Sequence, residues 1–299
     1  MRTRIQSQVQ ILAAVIVTTL GMCLLSAAVN SPAGAAKVAA AAPASGCGTS
    51  VLTKADGSPW VCTFADDFLG STLDQTKWTP QLTATSGFGS GDACYTDKAA
   101  NISLSGGILK LTNKRAAFAS TCKTPRGSFS TRNTSGMIST YTKFTQTYGR
   151  FEMRAKFSTS LQPGIQSAFW MYPAVTDAVW PINGEIDIAE WYSKYPDRVI
   201  PFLHYQSSYL DPNATNNNCK VANVGGAWHT YAVEWTPQGI TFLYDDKVCM
   251  TNTAVGGIYP FNKPYMLALT QLVGTGVNAP TWLTPSTNTM QVDYVRGWA

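Results

Sequence analysis

The sequence predicts an all-β protein folded as a sandwich of two antiparallel sheets. Three observations carry that prediction. Only 13% of the 299 residues are charged while 45% are hydrophobic, and Gly, Thr, Ser and Asn are plentiful. That balance suits a loop-rich β protein better than a helical or a disordered chain. Apolar residues come in strand-length runs, or alternate with polar ones at period two, and Thr, Tyr, Val, Ile and Phe dominate them. No apolar stripe at i, i+3, i+4, i+7 of helical length, bounded by caps, follows the N-terminal segment.

In chain order the predicted strands are 102–104, 108–112, 136–141, 149–157, 167–171, 185–190, 200–205, 230–236, 240–244, 265–272 and 290–296. Some are short apolar runs, such as 167–171. Others alternate, such as 149–157 and 230–236. Gly, Pro, Asn and Ser separate them. A dozen or so strands in about 250 residues exceed what one flat sheet carries, so two packed sheets are expected. No internal repeat is present. No second linker divides the chain, so residues 47–299 read as one domain.

The first residues read as a targeting segment. Arg2 and Arg4 precede an apolar stretch from Ile11 to Val29, and Ala33-Gly34-Ala35 is an A-x-A cleavage site. Residues 1–35 are therefore expected to be a secretory signal peptide and 36–46 an Ala-rich linker. An uncleaved membrane anchor is the alternative, because the apolar run is nearly long enough to span. Cleavage leaves no stable membrane association and a secreted or cell-surface protein.

Cys23 leaves with that segment. Cys47, Cys62, Cys94, Cys122, Cys219 and Cys249 remain, an even number that favours disulfides after export. Pairing each with its neighbour is the simplest of the connectivities open to them. With no C-x-x-C spacing, and His204 and His229 as the only histidines, a zinc site is not expected. The net charge is +5, and Arg2, Arg4 and Lys37 supply three of those charges from the N-terminal segment. The remaining +2 gives no reason to expect nucleic-acid binding. The chain is taken as a monomer.

The chemistry concentrates in Trp180-Pro181-Ile182-Asn183-Gly184-Glu185-Ile186-Asp187-Ile188-Ala189-Glu190-Trp191. Ile186 and Ile188 alternate with Glu185 and Asp187, which is strand periodicity with one apolar and one acidic face. Strict alternation would send Glu190 to the apolar face. A one-residue β-bulge near Ala189 would return it to the acidic one. Two glutamates leaning across a shorter aspartate could then bring their carboxyls to the roughly 5–5.5 Å that a retaining glycosidase needs. Crowded like charges would keep one of the acids protonated at working pH. Trp180, Trp191 and Trp170 offer indole faces for stacking against sugar rings. An acidic strand face or a calcium site is the competing reading of the triplet alone.

The stretch resembles the catalytic strand of glycoside hydrolase family 16, in its bulged, laminarinase-like branch with E-I-D-I-x-E. The resemblance extends through Asp66-Asp67-Phe68 and Trp78, Cys94-Tyr95-Thr96, Ser135-Gly136, Tyr148-Gly149-Arg150-Phe151-Glu152-Met153-Arg154, Ala168-Phe169-Trp170-Met171, His204-Tyr205, Trp228-His229 to Thr236, and Val292-Asp293-Tyr294. It implies a concanavalin-like β-jelly roll with a glycan across a concave sheet. It implies retaining hydrolysis without a catalytic cofactor, with Glu185 as nucleophile, Glu190 as acid/base and Asp187 as assisting carboxylate. Trp180 would stack on a sugar and His204 would face the cleft. One of Arg150 and Arg154 would reach the cleft while the other pairs with an acid. A structural Ca²⁺ would lie at Asp293 and the carbonyl near Gly107.

Two segments depart from the family's pattern: Gln271-Leu272-Val273-Gly274-Thr275-Gly276, and 191–196 after the acid/base. Both would border the cleft and leave the glycan open. The leading expectation is an endo-β-1,3-glucanase acting on laminarin-like polymers. The alternatives are a related hydrolase or transglycosylase on β-1,3-galactan, agar-like or mixed-linkage glycans, or a non-catalytic β-glycan-binding lectin. A disulfide-stapled surface protein is a further reading, which the clustered acids disfavour.

Overall fold

The computed structural model describes residues 46–49, 51–175 and 178–299. The expected signal peptide, all but the last residue of the expected linker, and Cys23 lie outside them. The strands are β1 (Cys62–Asp66), β2 (Thr79–Pro80), β3 (Ala93–Tyr95), β4 (Ile102–Ser105), β5 (Ile108–Thr124), β6 (Gly127–Ser135), β7 (Met137–Ser139) and β8 (Gly149–Lys156). They continue as β9 (Ile165–Pro173), β10 (Glu185–Tyr192), β11 (Ile200–His204), β12 (His229–Thr236), β13 (Gly239–Tyr244), β14 (Lys247–Asn252), β15 (Tyr265–Val273) and β16 (Thr287–Trp298). Among the described residues the one α-helix is the single turn Thr83–Ser86.

Two sheets stack, as the number of strands requires. Ten strands form one, in the order β14-β13-β12-β8-β16-β5-β6-β3, with β1 on β16 and β4 on β5. Six form the other, in the order β11-β10-β9-β15-β7-β2. Pairing is antiparallel apart from β3 with β6. This is the β-jelly-roll sandwich. Its core fills the space between the sheets with alternate residues of each: Phe151, Met153 and Ala155 from β8 meet Phe169, Met171, Ile186 and Leu269 from the smaller sheet.

The three disulfides are Cys47–Cys62, Cys94–Cys122 and Cys219–Cys249, the neighbour pairing. Strands β5, β6 and β14 exceed their sequence signal. β5 and β6 run on as a long hairpin turned at Pro125-Arg126, and β14 adds an edge strand after Asp245-Asp246. The outer part of the hairpin is exposed on both faces, Phe118 included. It therefore shows no apolar alternation.

Candidate active site

The site is built on β10 in the smaller sheet. Glu185 and Asp187 point away from the core, and Ile186 and Ile188 point into it. The pairing of β10 with β9 shifts register between Asp187 and Ala189, so two consecutive residues, Ile188 and Ala189, turn inward. That bulge returns Glu190 to the acidic face. The carbonyl of Ile188, within the bulge, is satisfied from the opposite sheet by the Tyr244 hydroxyl at 2.9 Å. Gly184 aims the strand. It has φ +84°, and a Cβ there would stand 2.1 Å from the Tyr265 hydroxyl, so only glycine fits immediately before Glu185.

The acids line a cleft of about 110 Å³ with Phe88, Gln166, Trp170, Thr270 and Leu272. Each is held by neighbours placed through strand register. Trp180 Nε1 donates to Glu185 Oε2 at 2.6 Å. His204, directly across from Glu185 on β11, sets its Nε2 3.0 Å from Asp187 Oδ2. Gln166 Nε2 and the Tyr192 hydroxyl donate to the two oxygens of Glu190, each at 2.6 Å. Trp170 lies opposite Asp187 on β9 and is pinned by its Nε1 donating to Thr270 Oγ1 at 2.8 Å.

Burial raises all three carboxyls, and repulsion from a neighbouring acid adds to it at Glu185 and Asp187. Glu185 lies well above its ordinary range, first through desolvation and then through the Asp187 charge. Asp187 is likewise well above, through desolvation and Glu190. Glu190 is raised by desolvation, but the Tyr192 and Gln166 hydrogen bonds pull it back. Such an array favours keeping a proton next to a carboxylate, which is the pairing glycosidic cleavage uses.

Most sequence-predicted residues meet here: Glu185, Asp187, Glu190, Trp170, Trp180 and His204. Trp180 is half exposed beside the acids and packs against His204 at 5.4 Å between ring centroids. Three do not. Trp191 is 1% exposed and stacked on Phe157 in the core, because once the bulge has turned Glu190 outward the next residue must turn in. Arg150 lies on β8 of the larger sheet, where its guanidinium bonds Glu152, Glu234 and Asp246. The inward places on β8 belong to Phe151, Met153 and Ala155, so Arg150 and Arg154 both face away from the cleft sheet. Arg154 pairs with Asp293, so neither arginine reaches the cleft.

That pairing also bears on calcium. Asp293 sits where β16 bulges against β8, and Gly107 lies in the turn before β5, near the Asp67 carbonyl. Ca²⁺ takes six to eight oxygens, whereas the one carboxylate of this set is already bonded to a guanidinium. The residues present do not fit the ion. Among the described residues the one metal-compatible grouping is Glu185, Asp187 and His204 itself.

Gln166, Tyr192, Thr270 and Phe88 escaped the sequence reading. Gln166 follows the same period-two face of β9 as Ala168 and Trp170. Tyr192 is two residues past Glu190, on the same face. Both were legible once the bulge was placed. Thr270 and Phe88 reach the site only through tertiary packing.

A strand-borne acid triplet in a cleft flanked by indoles, on a two-sheet jelly roll, defines a glycoside-cleaving protein of the sandwich type. The family model for glycosyl hydrolases family 16 matches residues 91–296, and the chain belongs to that family. It is similar to the glucan endo-1,3-beta-glucosidase of Cryptopygus antarcticus, 28% identical over 80% of this chain and 92% of that one. It is 29% identical to the beta-glucanase of Rhodothermus marinus over 84% of this chain and 90% of that one. The solved laminarinase of Rhodothermus marinus superposes with a TM-score of 0.68 at 27% identity, covering 80% of this chain and 97% of that one.

Proposed function

We propose that this glycoside hydrolase is an exported endo-β-1,3-glucanase that cleaves laminarin-like β-glucans with retention of anomeric configuration. The observation that carries the reading is the bulge between Asp187 and Ala189, which gathers Glu185, Asp187 and Glu190 on one cleft face. The names of the Cryptopygus and Rhodothermus relatives support the substrate class. The leader sequence and the three disulfides support export. A mature N-terminus following Ala35 in protein from the medium tests that part, and a retained leader would refute it.

In the first step the Glu185 carboxylate attacks the anomeric carbon. The glycosidic C–O bond breaks as Glu190 gives its proton to the departing oxygen, leaving a glycosyl ester on Glu185. In the second, Glu190 takes a proton from water, and the water oxygen displaces Glu185 from the sugar. Trp180 Nε1 fixes the attacking carboxylate. Asp187, tied to His204, stands between the two glutamates and fixes their geometry. In the free site burial and the Asp187 charge raise the Glu185 carboxyl, which opposes its ionisation. Redistribution of protons within the triplet on substrate binding is therefore part of this reading.

The test incubates wild type and Glu185→Gln with laminarin, mixed-linkage glucan, agarose and β-1,3-galactan. Laminarin oligomers should appear with wild type and fall at least about 10⁴-fold with the variant. Release from a different polymer keeps the chemistry and moves the substrate. No release from any of them sinks the hydrolase reading. Azide rescue assigns the roles. Glu185→Ala should yield an α-glycosyl azide and Glu190→Ala a β-glycosyl azide, and the reverse pattern exchanges the two residues.

A further inference from the structure

The small net charge conceals a segregation. Residues 98–151 hold nine Lys and Arg residues and no Asp or Glu. Six of the nine, Lys110, Lys114, Arg115, Lys123, Arg126 and Arg132, lie on the ribbon formed by β5 and β6. Residues 38–299 carry +2 in all, so with +6 on the ribbon everything outside it sums to −4. The strands that flank the ribbon, β3, β4 and the first half of β16 (287–292), contain no carboxylate.

Strand register gathers four of these cations in single file. Leu109 and Leu111 of β5 point into the core, so Lys110 and Lys114 stand on the outer face of the larger sheet. On β6 Thr131, Asn133 and Ser135 are buried, and Arg132 and Thr134 between them face outward. Opposed residues of an antiparallel pair share a face. Lys114 is opposed to Thr134, and Lys123 to Ser128, so both continue the face of Arg132. The order is Lys110, Lys114, Arg132, Lys123, over about 30 Å of strand with successive gaps of about 13, 7 and 13 Å.

Lys114, Lys123 and Arg132 are exposed. Lys110 Nζ donates to Ser105 Oγ at 3.1 Å, and Arg132 Nε to the Ala116 carbonyl at 2.9 Å. Among the described residues none of the four has a carboxylate partner. The frame beneath them is fastened. The Cys94–Cys122 disulfide ties the ribbon to β3, the Thr131 hydroxyl donates to the Asp92 carbonyl at 2.6 Å, and Asn113 Nδ2 donates to the Thr134 carbonyl at 3.1 Å. Like charges held in line repel one another, and a polyanion lying along them relieves that repulsion.

We propose that this outer face of β5 and β6 binds a linear anionic polysaccharide, one with carboxylate or sulfate groups on its sugars, on the side of the sandwich away from the acid triplet. Charge complementarity sets the sign of the partner, and the single file sets its shape. The spacing sets its charge density. Duplex nucleic acid carries a charge about every 1.7 Å, whereas this row matches a chain charged once per sugar or per disaccharide. A lipid surface is the poorer match, because Phe118 is the one large apolar side chain exposed on the ribbon. The choice of a glycan also rests on the exported-hydrolase reading. Held on such a chain, the protein meets neutral β-glucan of the same matrix at raised local concentration.

The test measures binding to immobilised alginate and dextran sulfate at about 50 mM and about 0.5 M salt, beside neutral dextran, a DNA duplex and phosphatidylglycerol vesicles. Wild type should bind both anionic polysaccharides at low salt, release them at high salt and ignore dextran. Lys114→Gln, Lys123→Gln and Arg132→Gln together should weaken binding about tenfold, the loss expected for three exposed ion pairs. Lys54→Gln, Lys220→Gln and Lys247→Gln together remove the same net charge elsewhere and should leave binding within about twofold. Lys114→Arg, Lys123→Arg and Arg132→Lys together keep the charges and should bind like wild type, which separates lost charge from damage to the ribbon. A ribbon triple that loses no more than the control triple would reduce the effect to net charge and overturn the proposal. So would a wild type that binds neither polysaccharide, or that binds DNA or vesicles more tightly. Binding is read without turnover, so a protein that holds alginate and dextran sulfate but cleaves no glycan removes the hydrolase reading and leaves this face standing.

Discussion

Tyr192 shows how much of the site depends on one hydroxyl. It donates to Glu190 Oε2, while Gln166 holds the other oxygen. Both bonds favour the charged carboxylate and oppose the desolvation that raises it. Tyr192→Phe removes one of them, so Glu190 holds its proton to higher pH. The alkaline limb of the kcat/KM profile, set by loss of that proton, should move upward, and the rate at the optimum should fall by about 10–100-fold as the acid loses its fixed position. An unmoved limb would show that Tyr192 does not set the ionisation of Glu190. At this scale the sequence was most informative where chemistry demands a residue type. Glu185, Asp187 and Glu190 stand out because strands disfavour acids. Trp191 shows the opposite. A tryptophan beside the acids looks like a sugar platform, and only its side of the bulge reveals that it packs on Phe157.

At the scale of the element, β10 works because its two ends are fixed. Its exit is set by the bulge, whose Ile188 carbonyl is bonded by Tyr244. Its entry is set by Gly184, wedged under Tyr265 and Pro260. Gly184→Ala places a methyl group into the Tyr265 hydroxyl at a left-handed φ. It should cost about 1–3 kcal/mol of stability from strain and overpacking. Because Glu185 is the next residue, activity should fall further than stability, about 10²-fold for a displacement near 1 Å. Denaturant midpoints and kcat on the same preparation check this, and full activity in a destabilised protein would separate the turn from the site. The bulge could be inferred from sequence because the acids required it. The β5–β6 hairpin could not, because its outer residues face water on both sides and carry no alternation to read. Arg150 and Arg154 stand on a legible strand, but alternation gives the face of a strand and not the sheet that it joins.

At the scale of the whole molecule, the cleft is a place where the fold tolerates an unfavourable charge cluster. Two packed sheets, three disulfides and a continuous aromatic core hold three carboxyls partly out of water next to one another. Their folded-state pKa values are raised, so the folded protein binds these protons more tightly than the unfolded chain does. The sign follows by linkage. The stabilising contribution is fully present below the ordinary carboxylate range, near about pH 4. It is lost as pH rises through the raised values. The wild type should therefore lose thermal stability between mildly acid and neutral pH. Glu185→Gln keeps an acceptor for Trp180 Nε1 and removes one of the repelling charges. Its melting temperature should match wild type near pH 4 and exceed it at pH 7–8. The excess should correspond to about 1 kcal/mol, or roughly 2–4 °C for a domain of this size. An advantage of equal size at both pH values would mean that it came from packing and not from ionisation. No advantage at pH 8 would mean that the triplet carries no electrostatic strain, and the raised carboxyls on which the proton-holding role depends would have to be abandoned with it.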